Sequence, residues 1–127
     1  MPKYDAENFD PPAPVAHVSL RNPETGASLS SIPMLIDTGA DVTLLPASYV
    51  EQLGIKPVRD IAYEIQGFDG ESKLANMVEL ELVFLGNKFS GQFLLIDQPI
   101  GILGRNILNV LSLTFDGPHG KWDEGKR

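Results

Sequence analysis

Residues 34–46, MLIDTGADVTLLP, set two carboxylates, Asp37 and Asp41, into an otherwise apolar run. Taken alone, Asp37-Thr38-Gly39 reads as a turn, because an Asp side chain accepts hydrogen bonds from nearby backbone N–H groups and Gly tolerates positive φ. The flanks change that reading. A surface turn is bordered by polar residues, whereas MLI precedes this one and VTLLP follows it, so the acid falls where two buried strands meet. A buried, unpaired carboxylate costs several kcal/mol. Something must therefore share its charge or its proton.

Composition bounds what that something can be. The chain has 127 residues, 43% of them hydrophobic, which fits one core burying roughly two thirds of the unfolded surface. With 17 acidic against 10 basic residues the net charge is -7, a field that repels phosphate backbones and anionic lipid heads. Neither nucleic acid nor a membrane is an expected partner. No cysteine is present, which excludes disulfides and thiolate chemistry. His17 and His119 lie far apart with no metal-ligand spacing around them, so no metal and no cofactor are expected. The start, MPKYDAENFDPPAP, lacks the basic end and apolar run of a secretory signal. Apolar stretches such as FLLI at 93–96 are too short to span a bilayer. The expectation is a soluble, cytoplasmic protein.

The chain divides by composition into three parts. Residues 1–14 carry Pro2, Pro11, Pro12 and Pro14 among polar and charged neighbours and predict a flexible N-terminal arm. Residues 15–117 predict a single folded domain, and 118–127 a polar C-terminal tail. Within the domain, VAHVSL alternates, SIPMLI runs as a strand into the Asp37 segment, and ASYVEQLGI, between Pro46 and Gly54, predicts a short helix. The middle reads as β throughout: IAYEIQGF, a turn at DGES, LANMVELELVFLG, a turn at GNK, then FSGQFLLI. A short helix over ILGRNILNVL and a last strand, LSLTF, follow. The class is mostly β with one or two short helices.

LIDTGADVTLLP resembles the active-site loop of the retropepsin-type aspartic proteases. GILGRNIL at 101–108 resembles their second signature, the Gly-Arg-Asn segment that opens the C-terminal helix. Between the two, AYEIQGFDGES falls where such a protease has its flap hairpin, and VELELVFLGNKFSGQFLLIDQP matches the β-meander that follows. The resemblance covers about residues 15–117. It departs from the retroviral pattern in the helix-bearing insertion at 46–54, the proline-rich arm and the tail beyond Phe115. It implies a retropepsin-like closed β-barrel, the acid protease fold, with one active-site half per subunit.

That chemistry needs two carboxylates sharing one proton, one taking a proton from water while the other donates to the carbonyl oxygen. The chain has one Asp-Thr/Ser-Gly triplet, so the resemblance implies a homodimer with one Asp37 from each subunit across a two-fold axis. It implies that Asp37 is catalytic, that Thr38 bonds across the axis, and that Gly39 allows close backbone approach. Ala40 stands where many pepsin-like enzymes have Ser. Asp41 and Arg105 match positions that form an ion pair linking loop to helix. Gly67, Phe68, Asp69 and Gly70 match the flap tip, with Asp69 a departure from its Gly-rich pattern. Ile100 and Ile102 match a loop that walls the substrate pockets. The expected interface is a sheet woven from strands near VAHVSL and LSLTF. The implied function is a homodimeric aspartic endopeptidase cleaving polypeptide between apolar residues. The alternative is a retropepsin-like dimer that binds peptide or scaffolds partners with little or no turnover.

Overall fold

Period-two alternation along the chain becomes the wall of a barrel. In the computed structural model, which describes residues 2–58, 62–66 and 72–125, the first elements are β1 (Tyr4–Asp5), β2 (Ala13–Arg21), β3 (Ser28–Ile36), β4 (Leu44–Pro46) and α1 (Ala47–Gln52). The chain continues through β5 (Ala62–Gln66), β6 (Ser72–Phe84), β7 (Asn87–Ile96), β8 (Gly101–Leu103), α2 (Arg105–Leu108), β9 (Leu113–Asp116) and β10 (Lys121–Glu124). Neighbouring strands run β2-β3-β8-β4-β7-β6, and β6 returns to β2 by pairing Val83 with Ser19, Leu82 with Leu20 and Glu81 with Arg21. These six strands close the barrel. The β3–β8 and β4–β7 pairings are parallel and the other pairings within it antiparallel.

Closure follows from which side chains the pleat turns inward. Ala16, Val18 and Leu20 of β2, Ile32, Met34 and Ile36 of β3, and Val78, Leu80, Leu82 and Phe84 of β6 all fall in one buried cluster. Their alternates His17 and Glu79 are exposed. The helix expected between Pro46 and Gly54 is α1. Pro46 caps its start in extended conformation, Gly54 follows its end at φ +70, and Val50 and Leu53 are buried.

The two ends differ from what their composition predicts. Tyr4 and Asp5 pair with Pro14 and Ala13 of β2. The Tyr4 N–H donates to Gly120 O at 2.7 Å, and the Trp122 N–H donates to Pro2 O at 3.0 Å. Beyond Phe115, β10 pairs with β9 along its whole length. Trp122 is 2% exposed, with its ring centroid 6.0 Å from that of Phe84 and its indole N–H donating to Val15 O at 3.4 Å. One large aromatic buries enough apolar area to hold a strand whose other residues, Lys121, Asp123 and Glu124, stay exposed. The segments read as a flexible arm and a polar tail therefore contribute β1 and β10, and Trp122 belongs to the core.

Trp122→Ala is expected to destabilise the chain by about 3–5 kcal/mol, measured by denaturant unfolding. Deleting residues 111–127 removes the same ring and is expected to unfold the chain. Among the described residues, no helix is long and apolar enough to cross a membrane.

Candidate active site

Asp37 leaves β3 immediately after Ile36 and is tied to the neighbouring strand, its backbone N–H donating to Leu103 O at 3.1 Å. The chain then turns back. The Ala40 N–H donates to Asp37 O at 3.2 Å, and the Gly39 N–H donates to Asp37 Oδ1 at 2.9 Å. The turn that the triplet alone suggests is thus present, and it consumes only one carboxylate oxygen. Oδ2 has no hydrogen-bond partner among the described residues.

The loop is held from α2. The Arg105 N–H donates to Ala40 O at 2.8 Å, and its guanidinium Nη1 donates to Thr38 O at 2.7 Å. Thr43, 1% exposed, donates its hydroxyl to Asn106 Oδ1 at 2.7 Å and accepts the Gly104 N–H at 3.0 Å. Gly104 packs so closely that a Cβ there would run into the Val42 and Ala40 carbonyls. The polypeptide that follows Asp37, from Thr38 to Thr43, is therefore clamped to the start of one short helix. Sequence reasoning did not single out Thr43 or Asn106 for this role. The available signal was a hydroxyl inside VTLLP, which a buried site accepts only when the hydroxyl is paired.

Two expectations need correction. Among the described residues Arg105 forms no ion pair with Asp41; its guanidinium reaches the Thr38 carbonyl instead. The reason is local: Arg105 opens α2 with its own N–H already bonded to Ala40, which brings its side chain against the loop backbone, while Asp41 stays exposed. The second concerns burial. Asp37 and Ala40 are half-buried, and Thr38, Gly39, Asp41 and Val42 are exposed. The protomer presents the acid at its surface and does not enclose it.

Ile102 is half-buried. It stands opposite Leu35 of β3 and Leu44 of β4, and Leu35 lies two residues before Asp37. The other pocket candidate, Ile100, is half-buried just ahead of β8. Gly67, Phe68, Asp69 and Gly70 lie outside the described residues; the strands flanking them, β5 and β6, pair from Ala62 with Asn76 to Gln66 with Ser72. No three His, Asp or Glu side chains converge as metal ligands among the described residues.

Arg105→Ala tests the clamp. An exposed hydrogen bond of this kind contributes about 1 kcal/mol to stability, yet a loop displaced by 1 Å costs roughly 100-fold in rate. A small drop in unfolding midpoint with a large fall in any activity of the site is the expected result, and equal small effects on both would show that the guanidinium does not position the loop.

A family model described as aspartyl protease matches residues 24–107. Among solved structures, the chain is similar to the EIAV protease complexed with the inhibitor HBY-793, at 24% identity over 86% of this chain and 93% of that one, with a TM-score of 0.58. That likeness shows a shared fold.

Proposed function

The chain belongs to the aspartyl protease family, and from that premise we propose that it works as a homodimeric endopeptidase whose two Asp37 carboxylates meet across a two-fold axis. The observation that carries this reading is a single Asp37 loop, clamped by α2 but left half-exposed, with Oδ2 unpartnered among the described residues. Hydrolysis by carboxylates alone requires two of them, and the sequence holds no second Asp-Thr/Ser-Gly triplet. A copy of the chain supplies the missing half. In the assembled pair, one carboxylate takes a proton from water as the water oxygen adds to the scissile carbonyl carbon. The other, protonated, donates to the carbonyl oxygen. Collapse of the tetrahedral species breaks the C–N bond, and a proton passes to the amine nitrogen. Ile100 and Ile102 wall pockets for apolar substrate side chains.

The free edge of β9 supports the pairing of copies. β9 is bonded to β10 on one side and to no other strand among the described residues, and Phe115 on it is 43% exposed. An unpaired edge with an exposed aromatic is a template for another chain. The second strand expected at the interface, β2, is otherwise engaged: β3 pairs along one edge, and β1 and β6 occupy positions on the other.

The test is cleavage of denatured casein over a dilution series, with block by a transition-state mimic of the pepstatin type. Specific activity falls on dilution as dimers dissociate, and Phe115→Lys shifts that fall to roughly tenfold higher concentration while its unfolding midpoint, read at concentrations where both chains are monomeric, stays unchanged. Absence of cleavage from protein that sedimentation shows to be dimeric would favour the peptide-binding alternative.

A further inference from the structure

A groove of about 590 Å³ lies beside the candidate site and does not include Asp37. Pro99 and Ile100 line it together with Val15 and His17 of β2 and Pro33 of β3, the paired strands that serve as its floor. Its walls come from Tyr49 of α1 and from the N-terminal segment, including Tyr4, Asp5 and Glu7. The arm and the insertion bearing α1 are two of the places where the sequence departs from the retroviral pattern.

The ladder joins this floor to the catalytic loop. Val15 stands opposite Leu35 and His17 opposite Pro33, and Leu35 stands opposite Ile102. Leu35 and Pro33 precede Asp37 by two and four residues. At about 3.3 Å per strand residue, the floor spans roughly 7 to 13 Å from Asp37 along β3. An extended peptide advances at the same rate, so this is the reach of substrate residues about two to four positions from the scissile bond.

The groove is preformed. Asp5 Oδ1 accepts the Glu7 and Asn8 N–H groups, each at 2.9 Å, and Oδ2 accepts the Asn8 side-chain amide at 2.8 Å. The Asn8 amide foremost, with these backbone N–H groups, holds the Asp5 carboxyl below the usual carboxylate range, so it remains anionic at neutral pH. Glu7 is exposed and forms no ion pair among the described residues. Against these two acids the lining sets one lysine, Lys3, and a chain whose net charge is -7 adds to the negative potential.

We propose that this groove is an extended subsite, seating the substrate chain about two to four residues from the scissile bond and selecting there a side chain with an apolar stem and a cationic head. The inference rests on the peptidase reading of Asp37. Tyr4, Tyr49, Pro33 and Pro99 supply flat apolar surface for the stem of an Arg or Lys, and Asp5 and Glu7 attract its charge.

Nested fluorescent peptides test the subsite. Each is lengthened on one side or the other of an apolar core, with Arg or Glu in the extension, and its affinity for the Asp37→Asn chain, which keeps peptides intact, is read by anisotropy. Arg extensions should tighten binding about tenfold, on either side of the core because the two-fold pair presents one groove to each, and Glu extensions should not. Glu7→Lys should remove the preference for Arg, and His17→Trp, an exposed position on the floor, should remove the gain from extension. With Asp37 restored, both variants should cleave the unextended peptide at the unmodified rate and sediment as the unmodified chain does. No gain from extension, or a gain insensitive to both variants, overturns the subsite. Altered sedimentation of His17→Trp also overturns it, because the groove would then be an interface between copies. Casein cleavage without an extension gain removes the subsite and leaves the peptidase. An extension gain with no cleavage removes the peptidase and leaves the groove as a peptide-binding site.

Discussion

On the proposed homodimeric reading, Asp37→Asn is expected to leave the fold and the pairing intact and to remove more than roughly 1,000-fold of the casein-cleaving rate. Proton transfer by a positioned side chain is worth about 10² to 10⁴ in rate, and in the proposed pair the substitution removes both carboxylates at once. Asn is close to isosteric with Asp, and its side-chain carbonyl can still accept the Gly39 N–H that Asp37 Oδ1 accepts at 2.9 Å. The Asp37 backbone N–H keeps its bond to Leu103 O at 3.1 Å. The loop therefore retains its shape, and the amide can neither take a proton from water nor return one. Unfolding, sedimentation and peptide binding should match the unmodified chain. Cleavage that survives at even a tenth of the original rate would remove Asp37 from the chemistry and would need a different nucleophile-activating group.

Gly104→Ala is the second large effect, and it acts through packing. The added methyl would enter the space occupied by the Val42 and Ala40 carbonyls, which are backbone and cannot rotate away. Relief requires separating the Asp37 loop from α2, and that strains the Arg105 N–H bond to Ala40 O at 2.8 Å and the Gly104 N–H bond to the Thr43 hydroxyl at 3.0 Å. Overpacking of this kind costs about 3 kcal/mol, a fall in melting temperature of roughly 10 °C for a chain of this size. Activity should fall by about 100-fold or more in whatever fraction remains folded, since the loop carrying Asp37 is displaced. Gly117→Ala is the control. A Cβ there meets nothing within 4 Å, so stability should stay within about 0.5 kcal/mol of the unmodified chain. Equal effects at the two positions would mean that Gly104 is not the contact that seats the loop.

Local pattern made much of this legible. Alternation in VAHVSL and VELELVF marks residues whose buried members line the barrel, and Pro46 with Gly54 brackets α1. Turn chemistry was a weaker guide. Residues 86–88 predict a turn, yet the chain reverses at Leu85 and Gly86, with φ of 51 and 76, between the paired Phe84 and Asn87. The inward set Val78, Leu80, Leu82 and Phe84 determines where pairing with β7 ends. Leu85 takes a left-handed conformation at a cost of about 1–2 kcal/mol because a shifted register would turn that whole set toward solvent.

The sequence by itself determined the mostly β class, the short helix after Pro46, the family, and Asp37 as the candidate acid, because each depends on residue types at short spacings. Tertiary structure alone decided that Arg105 grips the Thr38 carbonyl and not Asp41, that Thr43 and Asn106 join loop to helix, and that one protomer leaves Asp37 half-exposed. It also decided that the polar ends pack through Trp122 and that the N-terminal segment and Ile100 line one groove. These are contacts between residues tens of positions apart, determined by how the barrel closes, and no local periodicity encodes them.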